Sequence, residues 1–259
     1  MLDYIFYIII GIVSGIASGV FGIGGGMIIV PLALAFAHLS AHQAIALSVI
    51  QMIFASIFGS YLNYKNKILN LKDGIFVGIG GLIGASFSGI IIKLLEDIYL
   101  TSIFLFISII SFIKYAFGVK NVIVQNQRSI LVKNFILICA GAITGVFAIS
   151  LGIGGGLLIA PILGYFLGYD SKKVVSISLF FVIFSSFSGT ISFILQDIIN
   201  KEIIFKGCLV GIGSSIGVFL GIKIIQKMKL NSHRKALLSI YALSIVLTIF
   251  ALIKKINNL

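Results

Sequence analysis

The chain has 259 residues, of which 59% are hydrophobic, 10% are charged and 29 are glycine, and its mean hydropathy is +1.21. A soluble globular domain is excluded, because such domains carry about 25% charged residues. A membrane-spanning helix needs roughly 20 mostly apolar residues. The length therefore predicts an all-α polytopic membrane protein with about eight spans, in which residues 1–259 form a single transmembrane domain.

The net charge is +12, from 19 Lys and Arg against 7 Asp and Glu. In a membrane protein such an excess sets the orientation of short loops and meets anionic lipid headgroups. We therefore expect the lipid bilayer as a partner and no nucleic acid. The two cysteines, Cys139 and Cys208, lie in separate apolar runs without the spacing of a zinc or redox site, so no metal and no cofactor are expected.

Charged residues divide the chain into eight apolar stretches. Their approximate bounds are 4–37, 43–62, 74–92, 98–117, 134–169, 174–195, 203–225 and 236–253. The first and fifth are longer than one span requires, and each contains a Gly-rich interruption. We expect the first stretch to be retained rather than cleaved as a signal peptide, because Asp3 stands where a signal peptide carries positive charge.

The two halves of the chain repeat each other at an offset of 130 residues. Residues 11–32 and 141–162 align without gaps and share nine of 22 residues. The shared residues include the motif GIGGG and the only two prolines, Pro31 and Pro161. Self-similarity of this kind predicts a duplicated architecture.

We predict repeat 1 at about 4–119, repeat 2 at about 134–255 and a polar linker at about 120–133. Basic loops stay cytoplasmic. If the first and fifth stretches fold back at their Gly-rich interruptions, 14 of the 19 Lys and Arg fall on one side; if all stretches cross once, 11 do. This count favours inverted over parallel repeats, with both termini outside. Segments 1 and 5 are then broken or re-entrant, with halves of about 15 residues, too short to cross fully.

The two GIGGG runs are the strongest functional signal. A glycine run lets a membrane helix unwind, which is tolerated only where the backbone is buried in protein or lines an aqueous cavity. Helix N-termini without a Cβ suit an anion, and paired interruptions in two halves mark the substrate site of transporters. The candidate substrate-binding glycines are Gly22, Gly24, Gly25, Gly26, Gly152, Gly154, Gly155 and Gly156. Close helix packing is their alternative role.

Polar side chains follow each run. Ser48 and Ser178 occupy matched positions, and Gln51 lies one turn after Ser48 on nearly the same helix face. Such groups can donate hydrogen bonds to a substrate oxyanion, although membrane serines also bond their own helix carbonyls. For His38 and His42, at the end of the first stretch, we expect a solvated interfacial role.

Several chemistries lack support in the sequence. All seven carboxylates fall at segment ends or in loops, so we expect no buried acid for a proton relay. There is no Walker motif, HExxH, GxSxG or Cys/His cluster, which argues against an enzyme and against ATP-driven transport by this chain. Export of an anion needs neither a proton relay nor ATP, since each negative charge that leaves the cell gains about 2.3 kcal/mol per 100 mV of membrane potential.

The segments GIASGVFGIGGGMIIVPLAL and SLGIGGGLLIAPIL, with the ALS and SIS segments after them, resemble the TauE/SafE family of bacterial membrane permeases, the sulfite exporter-like group. The resemblance covers the whole chain. It implies a multi-pass protein of the bacterial inner membrane that exports sulfite, an organosulfonate or a related small anion. It also implies that the GIGGG runs and the helices of Ser48 and Ser178 line the translocation site. Many relatives carry Thr-Ser-Leu where this chain has ALSV and SISL, which leaves the substrate open.

The predicted function is therefore export of a small anion by alternating access without ATP hydrolysis. Three alternatives stay open: import of a similar anion, an anion channel at the same site, and a structural membrane protein whose glycines only pack helices. The sequence also leaves open the coupling ion, and it allows a homo-oligomer.

Overall fold

The computed structural model describes residues 2–37, 39–117 and 129–256. His38 and most of the predicted linker lie outside these ranges. The helices of the first half are α1 (Leu2–Phe21), α2 (Gly26–Phe36), α3 (Ala41–Lys65), α4 (Leu71–Ala85), α5 (Ser88–Leu94) and α6 (Asp97–Phe117). Those of the second half are α7 (Ile130–Ser150), α8 (Gly156–Leu167), α9 (Ser171–Leu195), α10 (Lys201–Lys227) and α11 (Leu230–Ile256).

Eight helical segments of the described ranges are long and apolar enough to cross a membrane. Helices α1, α3, α6, α7, α9, α10 and α11 supply one each, and α4 with α5 supplies the eighth. The described residues contain no strand. The prediction of an all-α polytopic membrane protein with about eight spans is thus confirmed.

Both Gly-rich runs interrupt a helix, but not at its middle. The pieces on either side have 20 and 11 residues in the first half, and 21 and 12 in the second, instead of two pieces of about 15 that are too short to cross. Isolated glycines such as Gly11 and Gly19 leave α1 helical, because α10 packs against them; the helix unwinds only where glycines cluster. A re-entrant course for α2 and α8 stays a prediction.

Helices of the first half of the chain pack against helices of the second half through glycine. Gly11 of α1 lies against Val210 of α10, and Gly19 lies against Val218. The residue numbers rise together, so the two helices run parallel. A Cβ on Gly11 would lie 2.2 Å from the Val210 carbonyl oxygen, so only glycine allows this approach. The corresponding contacts of α7 with α4 are those of Gly141 with Val77 and of Gly145 with Gly81.

Helices α3 and α9 lie against the same pairs. Gly207 of α10 faces Ile50 of α3, and Gly211 faces Phe54, so α3 and α10 also run parallel. The corresponding contacts of α4 with α9 are those of Gly74 with Phe180 and of Gly78 with Phe184. The interior is therefore built from α1, α3 and α10 running one way and α4, α7 and α9 packed in a second parallel set.

These directions divide the charged residues between two ends. The end that holds the C-termini of α3 and α10 and the N-termini of α4, α7, α9 and α11 is called the basic face. Arg234 of α11 joins α6 to it through the carbonyl oxygens of Tyr115 and Ala116. Its described basic residues are Lys65, Lys67, Lys72, Lys114, Lys133, Lys172, Lys173, Lys223, Lys227, Lys229, Arg234 and Lys235. The opposite face has Lys93, Lys201, Lys206, Lys254 and Lys255.

Asp73, at the start of α4, anchors the basic face. Its carboxylate lies 2.6 Å from the Lys133 ammonium of α7 and 3.5 Å from that of Lys173 of α9, and the Tyr169 hydroxyl donates to it at 2.7 Å. Burial and the adjoining carboxylate raise the pKa of Tyr169 well above its usual value, so the phenol stays a neutral donor. Asp73 is only 2% exposed although it lies at a segment end, because residues distant in the sequence cover it. Its pairing with two lysines is that of a structural ion pair, so the prediction that no buried acid serves a proton relay stays a prediction.

A second ionic cluster joins helix ends at the opposite face. Asp97, at the start of α6, pairs with His42 of α3, and the Lys255 ammonium of α11 lies 2.9 Å from it. The other ring nitrogen of His42 lies 3.0 Å from the Ile92 carbonyl oxygen. His42 is therefore partly buried and paired, rather than only solvated as the sequence predicted.

The Asp73→Asn variant is expected to lower the thermal unfolding temperature of the purified protein. Removing one charge of a buried pair leaves the lysines without their counter-charge, a loss on the order of 3 kcal/mol. Glu202→Gln is the matched control, because the Glu202 side chain is 67% exposed and pairs only with Lys206 one turn away among the described residues. An exposed pair contributes about 0–1 kcal/mol. Equal effects of the two variants would contradict an anchoring role of Asp73.

Candidate functional site

The two Gly-rich runs touch each other in the interior. A Cβ on Gly154 would lie 1.8 Å from the Ile23 carbonyl oxygen, and a Cβ on Gly26 would lie 1.7 Å from the Gly152 carbonyl oxygen. Only backbone without side chains can approach so closely. We call this contact between residues 22–26 and 152–156 the crossing.

Five glycines of the crossing adopt the left-handed conformation. They are Gly22, Gly24, Gly25, Gly152 and Gly154, with φ between +63° and +86°. Other residues lose about 1–2 kcal/mol in this conformation. Gly155 has a φ of −72° whereas the matched Gly25 has +86°, so the two runs follow different local paths.

The two matched serines hold the crossing together. The Ser48 hydroxyl donates to the Gly152 carbonyl oxygen at 2.8 Å, and the Ser178 hydroxyl donates to that of Gly22 at 2.7 Å. Each fully buried serine thus bonds the run of the other repeat. The sequence suggested a substrate or the serine's own helix as the partner, and in this conformation it is neither. Contact of these serines with a substrate stays a prediction.

Gln51 brings an unpaired amide to the same place. A Cβ on Gly25 would lie 3.2 Å from both Oε1 and Nε2 of Gln51. The residue is fully buried, and neither amide atom has a hydrogen-bond partner among the described residues. Burying an unpaired amide costs about 1–3 kcal/mol. Both amide atoms of Gln51 therefore remain available to form hydrogen bonds beside the crossing.

Two helices begin at the crossing. The N-caps of α2 and α8 are Gly25 and Gly155, and neither helix has a side-chain cap. The first N–H groups of a helix have no intrahelical acceptor and form the positive end of its dipole. Uncapped N–H groups of α2 and the Gln51 amide therefore face a common region, which suits an acceptor such as an oxyanion. The described residues contain no group of three or more His, Cys, Asp or Glu that could hold a metal ion.

The second half differs from the first at the position of Gln51. Its counterpart at the repeat offset is Phe181, a fully buried residue. A Cβ on Gly155 would lie 2.4 Å from the ring carbon Cδ1 of Phe181, so the ring fills the space beside Gly155. Sequence analysis named Gly155 but missed Phe181, although comparing positions 51 and 181 would have revealed the difference.

The sequence pattern of the sulfite exporter TauE/SafE family matches residues 7–248. The chain belongs to this family. This confirms the resemblance seen in the two GIGGG segments. No solved structure is significantly similar to the chain.

Three curated relatives of this TauE/SafE protein are named probable membrane transporter proteins. One, from Methanocaldococcus jannaschii, is 30% identical over 230 residues, which cover 86% of this chain and 83% of that protein. YdhB of Bacillus subtilis is 28% identical over 228 residues, covering 85% and 90%. YunE of Bacillus subtilis is 22% identical over 250 residues, covering 88% and 90%. Family and relatives together identify a multi-pass membrane transporter.

In this TauE/SafE protein, Ser48→Ala and Ser178→Ala are each expected to reduce stability by about 1–3 kcal/mol, because each leaves a buried carbonyl oxygen at the crossing without its donor. Ser185→Ala is the matched control: Ser185 is equally buried, but its hydroxyl donates to the Phe181 carbonyl oxygen of its own helix. Thermal unfolding of the three purified variants checks this. A loss for Ser185→Ala as large as for the other two would show that the cross-repeat bonds contribute nothing special.

Proposed function

We propose that this transporter exports a small oxyanion, sulfite or an organosulfonate, by alternating access without ATP hydrolysis. The observation that carries the proposal is the meeting of the uncapped α2 N-terminus with the fully buried, unpaired amide of Gln51. Both offer N–H donors in a buried region, where a hydrogen bond to a charged acceptor is strong. The family description and the transporter names of the relatives support the same class.

In the proposed complex, Gly22, Gly24, Gly25 and Gly26 and Gly152, Gly154, Gly155 and Gly156 surround the anion, together with Gln51, Ser48 and Ser178. The N–H groups of Gly22, Gly152 and Gly154 already donate to the carbonyl oxygens of Ser18, Ile149 and Ala148, so backbone donation to the anion comes from the other glycines. The two hydroxyls first have to leave the carbonyl oxygens of Gly152 and Gly22 that they bond now. Substrate binding then exchanges bonds between the repeats for bonds to the anion. This exchange loosens the contact between the two runs and links occupancy to movement of one repeat against the other.

The direction of the helices supports inverted repeats. Residues 66–70 connect α3 to α4 in a short link at the basic face, so these two helices run in opposite directions. Because α9 runs parallel to α4, it runs opposite to α3, its counterpart in the other repeat. Helix α1 runs parallel to α10 and hence to α3, whereas α7 runs parallel to α4. Helices α1 and α7, the counterparts in the two halves, therefore also run in opposite directions. Transporters with inverted repeats commonly bind substrate at the repeat interface and expose it alternately to the two sides.

The distribution of charge supports the orientation. Basic loops remain cytoplasmic, so the basic face lies in the cytoplasm of a bacterial cell, with the protein in the inner membrane. An anion that moves from there to the opposite face gains about 2.3 kcal/mol per charge for each 100 mV of membrane potential. Export therefore requires no ATP.

Flux from liposomes that contain the purified protein tests the function. We expect saturable efflux of sulfite or of one member of an organosulfonate panel, and we expect an imposed potential to change its rate because charge crosses the membrane. Protein-free liposomes measure the leak. Flux that rises linearly with concentration would indicate a channel, and uptake favoured over efflux an importer. Absence of flux with correctly inserted protein would contradict the substrate class.

Gly25→Ala and Gly155→Ala separate a binding role from a packing role. Alanine at Gly25 meets a left-handed φ, which costs about 1–2 kcal/mol, and an added Cβ at Gly155 meets the Phe181 ring. Such strain in the transport-competent state predicts a loss of flux of about 5- to 30-fold. Gly164→Ala is the control, because its Cβ has no neighbour within 4 Å. Normal insertion with lost flux supports a site, whereas lost insertion supports packing alone.

A further inference from the structure

Both buried amides without a partner among the described residues lie beside the crossing or on one side of it, together with three buried serines. These five residues on α1, α3 and α9 are each at most 4% exposed, and each has a side-chain atom with no hydrogen-bond partner among the described residues. They are Ser18, Gln51, Ser60, Asn63 and Ser176. Helix α1 ends at the crossing, whereas α3 ends at the basic face and α9 begins there. Ser18 and Gln51 therefore lie beside the crossing, and Ser60, Asn63 and Ser176 lie between it and the basic face.

The equivalent positions in the other half of the chain carry mostly apolar side chains. At the offset of 130, the counterparts of the five are Ala148, Phe181, Thr190, Phe193 and Ala46, in the same order. Four of these are apolar, and the Thr190 hydroxyl donates to the carbonyl oxygen of Ser186 in its own helix at 2.8 Å. The two repeats therefore share a backbone plan and differ in the polarity of their interiors.

Phe181 and Phe193 close the apolar side. Both rings are fully buried on α9. Phe181 lies beside Gly155 of the crossing, and Phe193 lies about three turns further from the basic face. The Phe181 ring packs between two glycines, since a Cβ on Gly81 would lie 2.3 Å from the ring and a Cβ on Gly155 would lie 2.4 Å from it. Neither ring offers a hydrogen-bond donor to a small anion, whereas the polar side offers amide and hydroxyl groups.

Four other buried hydroxyls also lack a partner among the described residues: those of Thr144 and Ser150 on α7, and those of Tyr241 and Ser244 on α11. Ser150, near the end of α7, is buried and unpaired on the apolar side, and its counterpart is Val20. A lone hydroxyl can turn to a carbonyl of its own helix. The amides of Gln51 and Asn63 have two donors and an acceptor each, and a helix cannot satisfy all of them. The two amides therefore carry the argument.

We propose that the anion reaches the crossing from the basic face along a polar half-route lined by Ser18, Ser60, Asn63 and Ser176, with Gln51 as the innermost selecting residue. Phe181 and Phe193 block the way to the opposite face in this conformation. Lysines at the basic face raise the local concentration of anions at the mouth of the half-route. The inference rests on the proposed function of the crossing and adds an entry side and a blocked side.

Thiol accessibility tests the half-route without any transport measurement. In a background with Cys139→Ser and Cys208→Ser, single variants Ser60→Cys and Ser176→Cys are compared with their repeat counterparts Thr190→Cys and Ala46→Cys. A membrane-impermeant maleimide is added to one side of liposomes of known protein orientation. We expect the first pair to react from the basic face at least tenfold faster than the second pair reacts from either face. Equal rates, or no reaction of the first pair, would overturn the half-route.

The variant Gln51→Leu tests the selecting residue. Leucine has a similar size and removes an unpaired buried amide, so we expect an unchanged or raised unfolding temperature together with at least a tenfold lower flux. A lower unfolding temperature, or unchanged flux, would overturn a selecting role for Gln51.

The two tests keep the proposals separable. If the wild type shows no flux but the thiols react as expected, the proposed substrate is contradicted and the half-route is supported. Saturable flux with equal thiol rates would leave the transport function and remove the half-route.

Discussion

The architecture depends on direct backbone contact between two glycine runs in the interior of the membrane domain. At the crossing, a methyl group on Gly26 or Gly154 would overlap a carbonyl oxygen of the other run, so the two interrupted helices can meet only through glycine. Around that contact, α1 packs on α10 and α7 on α4, which ties each repeat to the other and leaves neither able to bury its interior alone. The serine bonds to Gly152 and Gly22 then fix the register of the contact.

This arrangement reconciles two demands that conflict in a membrane. Unpaired backbone groups and amides are costly in a medium without water, yet a transporter has to keep hydrogen-bond donors available for its cargo. Here the carbonyl oxygens at the crossing are satisfied by serines of the opposite repeat, while the Gln51 amide remains free. The structure thus stabilises its interrupted backbone from within and retains donor capacity at one defined place.

Hydropathy and the repeat made the number of spans and the place of both interruptions predictable, because span length and glycine clustering are local properties of the chain. The partners across the molecule were not predictable. The partner of Ser48 is a carbonyl 104 residues away, and the burial of Asp73 depends on Lys133 and Tyr169 from other elements. The length of α1 was underestimated, since α10 supports the helix through its glycines. Phe181 could have been recognised from the repeat and was overlooked.

The glycine interfaces also govern how such a sequence can change over generations. Among the glycines whose surroundings are described, only Gly164 has open space where a side chain would begin. At the others, even the smallest substitution meets atoms of a neighbouring element, so these positions tolerate less change than exposed side chains such as Phe106 and Val246, each more than 60% exposed. The two halves can therefore differ in the residues between the glycines while the glycines themselves stay in place, as Gln51 and Phe181 do at matched positions.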